Sequence, residues 1–550
     1  MPAETSNLFD RWRSATLAPF HTRVFAVFWC ASVVSSFGSL IQTVGASWLM
    51  ATIDPSADRV ALVQTAGTLP FFFLSLVAGA LADTYDRRII MIVAQSLMLL
   101  ASIVLAVIAL TSQVTPNILL AVTFMIGCGT ASFAPAWQAS IGDQVPRTQI
   151  AASVAANALG FNLARSIGPA IGGVIVALAG AAAAFVINAI SYIGILGALL
   201  WWRPVPLANP LPPEPLFSAI AAGVRYVRLS PDLMAILFRS VMFTVPMAAV
   251  PSLMPIVARD LLEGGAQTYG FLLGSFGVGA MLGALASAAL RTRFSSDILL
   301  RALCAFAFIA LLVISQSHWV WLTLLAHILA GCLWTLGLAN FNIAMQLSSP
   351  RWVTGRTLAL YQTFAFAGLA LGSWIWGHFA VAFNVREAFL IAGFVALLTF
   401  VFAHWLPVSV ARMGSLDPQV MKDVAPSKVV LDPASGPIVI TIEYRVLVQH
   451  ASQFMFAINE LGRIRRRDGA RRWSVCQDLD APEQWVERYE SPTWLDYLRR
   501  QTRSTMGDQV VRQQLVGLIQ SERGSVRRML ERPAGSEPIV GVDTLEVYSL

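Results

Sequence analysis

The chain has 550 residues, 56% of them hydrophobic and only 13% charged, with a mean hydropathy of +0.65 and a net charge of +7. Soluble domains carry about 25% charged residues, so a water-soluble globule is excluded. The first 410 residues hold 19 arginines and 13 acidic residues, whereas the last 140 hold 19 basic and 18 acidic ones. A charge-poor piece therefore precedes an ordinary soluble one. Lysine occurs only at Lys422 and Lys428, and the arginine excess falls in short loops between apolar runs, where it sets topology rather than binding nucleic acid. Cys30, Cys128, Cys304, Cys332 and Cys476 have no CxxC or Cys/His spacing, so no disulfide framework, metal site or cofactor is expected.

Apolar runs of about 20 residues mark membrane spans. Twelve occur, near 24–52, 60–82, 89–111, 117–140, 152–177, 181–202, 235–257, 269–290, 298–316, 319–345, 357–380 and 388–407. The first is too long for a signal peptide and lacks a cleavage pattern, so it is expected to stay as a span. With the N-terminus inside, Arg11, Arg13, Arg23, Arg87, Arg88, Arg147, Arg203, Arg225, Arg228, Arg291, Arg293, Arg351 and Arg356 face the cytoplasm, against Arg59, Arg259 and Arg386 outside. That asymmetry places both termini in the cytoplasm. The expected organisation is a six-span half over 1–202, a linker over 203–234 with a Pro-rich start and an amphipathic segment around Phe217 to Val227, and a second half over 235–410. A second linker covers 411–436, a soluble domain 437–535 and a tail 536–550.

The sequence repeats on itself at an offset of 204. Gly79 falls on Gly283, Gly127 and Cys128 on Gly331 and Cys332, Pro146 and Arg147 on Pro350 and Arg351, and Gly168 and Gly173 on Gly372 and Gly377. Two parallel six-helix halves with a site between them near the membrane midplane are a known architecture of secondary transporters. Duplicated scaffold without transport is the alternative. ATP-driven transport is disfavoured, because no GxxxxGK[ST] loop occurs.

Gly79, Asp83, Arg87 and Arg88 stand at the junction of spans two and three. Glycine lets helices approach closely, and a carboxylate there can bind a helix N-terminus and an arginine when a gate is shut; the alternative is a solvated loop. In span five, Ala164, Gly168 and Gly172 recur every four residues, beside Pro169 and Gly173, and Gly368 and Gly372 repeat the stripe in the second half. Such small residues form helix-packing faces.

The loop around Asp83 resembles the signature of the major facilitator superfamily, with Thr84 and Asp86 replacing a usual cation and glycine. The glycine-proline run Gly168, Pro169, Gly172 and Gly173 resembles that superfamily's exporter-associated motif. Further runs, Pro135 to Ser140, Gly160 to Gly173, Phe185 to Tyr192, Gly355 to Tyr361 and Leu371 to Ser373, are similar to the enterobactin-exporter-like subgroup, also called the transmembrane secretion effector group. The resemblance covers nearly all of residues 20–410. It implies an all-α membrane fold and a proton-driven exporter of siderophores, drugs or other amphipathic small molecules in a prokaryotic plasma membrane. The direction of transport rests on the resemblance alone, and import is the alternative.

Arg165 lies deep in span five, where a charge is a functional candidate. It can hold an anionic substrate group, helped by Asn157 and Asn162, or form an internal pair with an amide such as Gln138. Ser39 and Gln42 share a face of span one, and His327 and Trp334 a face of span ten; in the superfamily those spans line the central cavity. No acid lies deep in any span, so Asp83, Asp143 or mid-span His327, whose side chain titrates in the useful range, are the candidates for proton coupling. Pro246, Pro251 and Pro255 are expected to break span seven.

In the tail, the alternation from Val439 to Val446 reads as a strand. A helix over 451–466, strands over 471–478 and 484–489, helices over 493–501 and 506–521 and a strand over 525–531 complete a β-α-β-β-α-β, ferredoxin-like order with an extra helix. The run Arg465 to Ala470 with Trp473, Trp494, Arg499, Arg503, Thr505 and Asp508 resembles antibiotic-biosynthesis-monooxygenase-type dimeric α+β barrels. That resemblance implies a dimerising or regulatory module, or a membrane-anchored enzyme. Catalysis is disfavoured, since the histidines expected at 497 and 501 are Tyr497 and Gln501.

Overall fold

The computed structural model describes residues 18–146, 149–203, 216–350, 352–408, 429, 431–501, 503–520 and 526–532. Arg147, Arg351, most of both linkers and the side chains of Asp83, Thr84 and Asn162 lie outside the description. Two compact units result: Met1–Ile220 with Ala235–Ala344 and Leu358–Ser409, and Ala221–Met234 with Met345–Thr357 and Val410–Leu550.

The first unit is helical. Its elements are α1 (Arg23–Ile53), α2 (Ala57–Thr84), α3 (Arg87–Leu110), α4 (Pro116–Gln144) and α5 (Ile150–Trp201). After α6 (Leu216–Arg228) come α7 (Pro231–Met247), α8 (Ala249–Ile256), α9 (Ala266–Arg293), α10 (Ser296–Gln316), α11 (Val320–Leu347), α12 (Thr354–Ala382) and α13 (Val385–Phe402). Among the described residues, 10 helices are long and apolar enough to cross a membrane. Their starts follow local chemistry. Asp86 caps α3 by accepting from Arg88 N at 2.8 Å, and Thr115 caps α4, whose first residue is Pro116. Ser295 and Asn384 cap α10 and α13 in the same way, satisfying donors that a helix start leaves free.

Two expected spans, 152–177 and 181–202, are joined without a loop. The 52-residue α5 contains one left-handed residue, Gly180 (φ +76°). Glycine takes that conformation without a Cβ penalty, and the alanines on either side keep both arms helical. α1 packs on both arms: Gly38 against Asn188 and Ser191, and Gly172 against Ile41 and Val44. Prolines interrupt span seven, which runs as α7, α8 and a π-turn from Val257 to Leu261; a proline removes the donor that would continue the ladder.

The internal repeat reappears as packing, with one change of register. Gly168 lies against Phe37 and Leu40, and Gly368 against Val241 and Thr244; Gly172 lies against Ile41 and Val44, and Gly372 against Val245 and Ala248. The α1 and α7 residues correspond at an offset of 204, whereas the glycines correspond at 200. The ungapped register therefore slips by four residues, about one helical turn, which leaves the glycines on the same helix face.

The second unit holds a four-stranded antiparallel sheet of order β2-β3-β1-β4, built from β1 (Ile438–Arg445), β2 (Arg471–Gln477), β3 (Gln484–Ser491) and β4 (Val526–Leu530). Its helices are α14 (Ala451–Arg467), α15 (Trp494–Gln501) and α16 (Met506–Val516). Ile440, Tyr444, Trp485 and Tyr489 form a core with Phe454, Ile458 and Leu461 of α14. Thr505 and Asp508 form a capping box at the start of α16. Residues of α6 and of the segment before α12 belong to this unit. Arg467 lies over the Tyr226 ring at 4.9 Å, and Arg503 over the Trp352 ring at 4.3 Å. Tyr226 and Trp352 meet edge to face at 5.4 Å, and Arg463 Nη1 donates to Leu229 O at 3.0 Å.

Candidate functional site

Arg165 stands fifteen residues from both Ile150 and Gly180, about 22 Å from either end of that arm. Among the described residues it has no carboxylate partner, and no hydrogen bond joins it to Gln138. It faces the Phe276 ring of α9, with Cζ 5.8 Å from the centroid, within cation–π range. The α9 backbone at Phe276 runs close to α11, where a side chain at Gly331 would collide with the Phe276 carbonyl. One helix of the first half thus presents a cation to an aromatic face of the second. Nearby in the α5 sequence, both amide atoms of Asn157 are buried without a hydrogen-bond partner.

A second cation, Arg239 of α7, is only 2% exposed, but it lies towards the start of its span, against the first turn of α10. Arg239 differs chemically, since it pairs with Asp297, which also binds Arg301 at 2.6 Å. Asp297 further accepts from Val408 N at 3.0 Å. Arg239 is thus neutralised in a structural knot, whereas Arg165 is not.

The other predicted contacts separate. Gln42 is engaged through its oxygen: Oε1 accepts from Ser102 at 2.8 Å and from Asn188 at 2.6 Å, all three residues buried. That network holds α1 to α3 and to the second arm of α5. Ser39 sits 3.3 Å from the Tyr192 hydroxyl. His327 is fully buried, with Nδ1 2.7 Å from Thr323 O and Nε2 without a partner. It lies seven residues into the 28-residue α11, about 10 Å from its start, and so not at its middle. Trp334 is buried further along α11, past Gly331.

The motif between α2 and α3 acts within its own half. Arg87 donates to Ala82 O at 3.1 Å, to Ala139 O at 3.2 Å and to Asp143 at 2.9 Å; Arg88 donates to Leu199 O at 2.8 Å and Leu200 O at 2.9 Å. Two arginines therefore cap the last turns of α2, α4 and α5, where free carbonyls and the helix dipole favour cations. A Cβ at Gly79 would meet nothing within 4 Å, so in this conformation Gly79 is not a close-approach residue. Gly168 and Gly172 pack against α1 as described, Ala164 is fully buried, and at the next contact a Cβ at Gly270 of α9 would meet Pro169 O at 3.0 Å while Gly173 meets Gly270 with a Cβ-to-Cα distance of 2.7 Å.

Close contacts between the halves gather at the bundle end that carries Gly173 and Gly270. There Arg259 donates to Ala51 O at 2.7 Å and Pro55 O at 3.0 Å, Gly377 lies against Asp58 and Ala61, and Trp48 stacks on Tyr269. Along α2 and α12 the contact continues through Thr65 to Ala370 O, the stacked Phe71 and Phe366, and Ser75 to Thr363 at 2.7 Å. Sequence reading missed Phe276, an aromatic residue in an apolar run with nothing to mark it. It counted Arg259 only as a loop charge, although the residue bridges the halves.

A family described as transmembrane secretion effector matches residues 14–534. The chain is 28% identical over 405 residues to the multidrug efflux pump Tap of Mycolicibacterium fortuitum, covering 70% of this chain and 95% of that one. It is 24% identical over 261 residues to the staphyloferrin A transporter of Staphylococcus aureus, covering 47% and 65%. Among solved structures, a bacterial homolog of the human lysosomal transporter Spinster, inward-facing and unoccupied, aligns with a TM-score of 0.53 at 16% identity, covering 70% of this chain and 95% of that one.

Proposed function

The chain belongs to the transmembrane secretion effector family, and from that premise we propose that it exports an anionic, amphipathic small molecule across a prokaryotic plasma membrane by alternating access. The observation that carries this reading is Arg165, a cation midway along its arm of α5 that has no carboxylate partner among the described residues and faces a ring of the opposite half. An unpaired charge in a membrane-embedded bundle is costly unless a function retains it, and a carboxylate of the cargo would neutralise it. The similarity to a multidrug efflux pump favours outward movement, and that to a staphyloferrin A transporter fits a small-molecule cargo, a drug or siderophore in this reading.

In this reading the membrane part has twelve crossings: the ten helices above, α2, and the second arm of α5 beyond Gly180. Both termini are cytoplasmic, by the arginine asymmetry. The bundle end closed by Arg259, Gly173 and Gly270 then faces outward, so cargo enters from the cytoplasm. Proton entry is assigned to Asp143, which pairs with Arg87, to Asp83 or to His327. Asp143 has the simplest chemistry, because protonation would release Arg87 and loosen the caps on α2 and α4. The C-terminal unit is a ferredoxin-like domain with a regulatory or dimerising role.

The test is mass spectrometry of spent medium and extract from cells lacking the protein, carrying it, or carrying Arg165→Gln. One metabolite enriched in the medium only with the intact chain supports export and names the cargo. A compound drawn out of the medium instead overturns it in favour of import.

A further inference from the structure

The C-terminal unit buries more positive than negative charge around α14, α15 and α16. Glu487 of β3 is fully buried and saturated: Oε1 accepts from Arg465 Nε at 2.7 Å and Trp473 Nε1 at 2.9 Å, and Oε2 from Tyr444 at 2.8 Å and Arg465 Nη2 at 3.2 Å. Asp508 is held by Arg467 through bonds of 3.0 and 2.9 Å, and Asp468 pairs with Arg467 at 3.0 Å. These carboxylates answer Arg465 and Arg467. They leave Arg500 and Arg512.

Arg500 is 7% exposed, and among the described residues neither Nη1 nor Nη2 has a hydrogen-bond partner. Its guanidinium lies over Tyr489 at 4.3 Å and Tyr497 at 5.6 Å, and Arg465 lies over the same Tyr489 ring at 4.6 Å. Nε of Arg512 is likewise buried without a partner. Burial, with the nearby charge of Arg465, holds both Arg500 and Arg512 below the ordinary guanidinium range. Aromatic faces compensate a cation only in part, and a buried charge left unpaired is heavily penalised. A forked donor with both Nη groups free, as at Arg500, matches the geometry of an oxyanion, and the buried Nε of Arg512 on α16 offers a further N–H.

We propose that the C-terminal unit binds an oxyanion, the carboxylate or phosphate group of a small molecule, between α14, α15 and α16, with Arg500 as principal donor and Arg512 and Arg465 flanking it. The Nη atoms are shielded in this conformation, so occupation moves α15 outward. That motion has a path to α6 and the segment before α12. Arg465 is two residues from Arg467, which covers Tyr226; Arg500 is three from Arg503, which covers Trp352; and Arg512 is four from Asp508, which holds Arg467. The inference stands independently of the exporter reading, because its residues are distinct from Arg165.

Isothermal titration of the full chain in detergent micelles tests it, with citrate and inorganic phosphate as probes and chloride at matched ionic strength as control. Saturable binding of either probe that weakens at least tenfold in Arg500→Gln and survives in Arg165→Gln is expected, and the probe that binds identifies carboxylate or phosphate as the source. Arg500→Lys, which keeps the charge and loses the fork, should bind more weakly than the native chain. Should Arg500→Gln fail to purify as a single species, Arg512→Gln carries the comparison. The proposal is overturned if neither probe binds saturably at about 10 mM, if chloride competes equally, or if binding follows Arg165 instead.

Discussion

Arg165 and Phe276 meet across the two halves, guanidinium carbon to ring centre at 5.8 Å, and no carboxylate among the described residues answers the cation. If the cargo supplies the missing anion, Arg165→Gln should lower transport at least tenfold, equivalent to about 1.4 kcal/mol. The variant's thermal midpoint should hold or rise, because an unpaired charge has left the bundle. Phe276→Leu keeps the bulk and removes the quadrupole, a loss of about 0.5–1 kcal/mol. Metabolite release and unfolding, measured on the same variants, separate the roles: transport and stability falling together would make Arg165 a structural residue.

The apolar runs, the glycine stripes and the soluble tail were legible because each rests on periodicity or on composition over many residues. Partnership was not. Gln42 and Ser39 share a helix face in sequence, yet Gln42 is committed to Ser102 and Asn188, a choice made by helices far away in the chain. Gly79 reads as a close-approach glycine but has open space around it, while Gly173, which does touch backbone, carries the same sequence signal. The offset of 204 was legible from Gly, Cys and Pro positions, but a slip of one turn was invisible, since Gly168 has a glycine at both 368 and 372. The pairing of Arg239 was illegible because its neutralising partner, Asp297, lies 58 residues away.

Glycine substitutions should follow those contacts. A Cβ at Gly372 would collide with the Val245 carbonyl and lie 2.7 Å from Ala248, whereas at Gly168 its nearest neighbour is Leu40 Cβ at 3.3 Å. Overpacking of this kind costs about 1–3 kcal/mol. Gly372→Ala should therefore destabilise the purified chain clearly, Gly168→Ala less, and Gly79→Ala not at all. Thermal midpoints in detergent decide the order, and equal losses at all three positions would refute the packing account.

Glu487 predicts an acid limit for the C-terminal unit. Burial pushes its carboxyl up, but the Arg465 guanidinium, with Trp473 and Tyr444 donating, pulls it further down, below the ordinary 4.5. A depressed carboxylate contributes stability that is present above its unfolded value and lost as pH falls through the folded one. Asp468 has the opposite sign, since burial raises it to about 6 and its protonation favours the folded chain. Comparing native chain with Glu487→Gln cancels Asp468. The difference should be about 3–5 kcal/mol at neutral pH, and should shrink as pH drops below 4.5. A difference independent of pH from 7 to 3 would show that the charge of Glu487 is not what holds the site.

The grip of the C-terminal unit on α6 centres on Arg467, beside the bonds from Arg463 to Leu229 O and from Arg225 to Arg467 O. Arg467 covers Tyr226 at 4.9 Å and is locked by two bonds to Asp508, which is 4% exposed. Arg467→Ala would remove the cation that pairs directly with both Asp468 and Asp508, at a cost of about 3–5 kcal/mol, and free Tyr226 at the same time. Arg467→Lys retains the charge while losing the fork and the flat stacking face, so its effect should be intermediate. Tyr226→Phe keeps the ring and should be nearly silent, whereas Tyr226→Ala should mimic Arg467→Ala at α6 without unsettling the sheet. Hydrogen exchange on the full chain reads both ends: amides of 221–234 should exchange faster in Arg467→Ala and Tyr226→Ala, and those of β1 and β3 should slow-exchange normally in Tyr226→Ala. Unchanged exchange at 221–234 in both variants would mean that the backbone bond from Arg463 to Leu229, not the Arg467 stack, holds the helix.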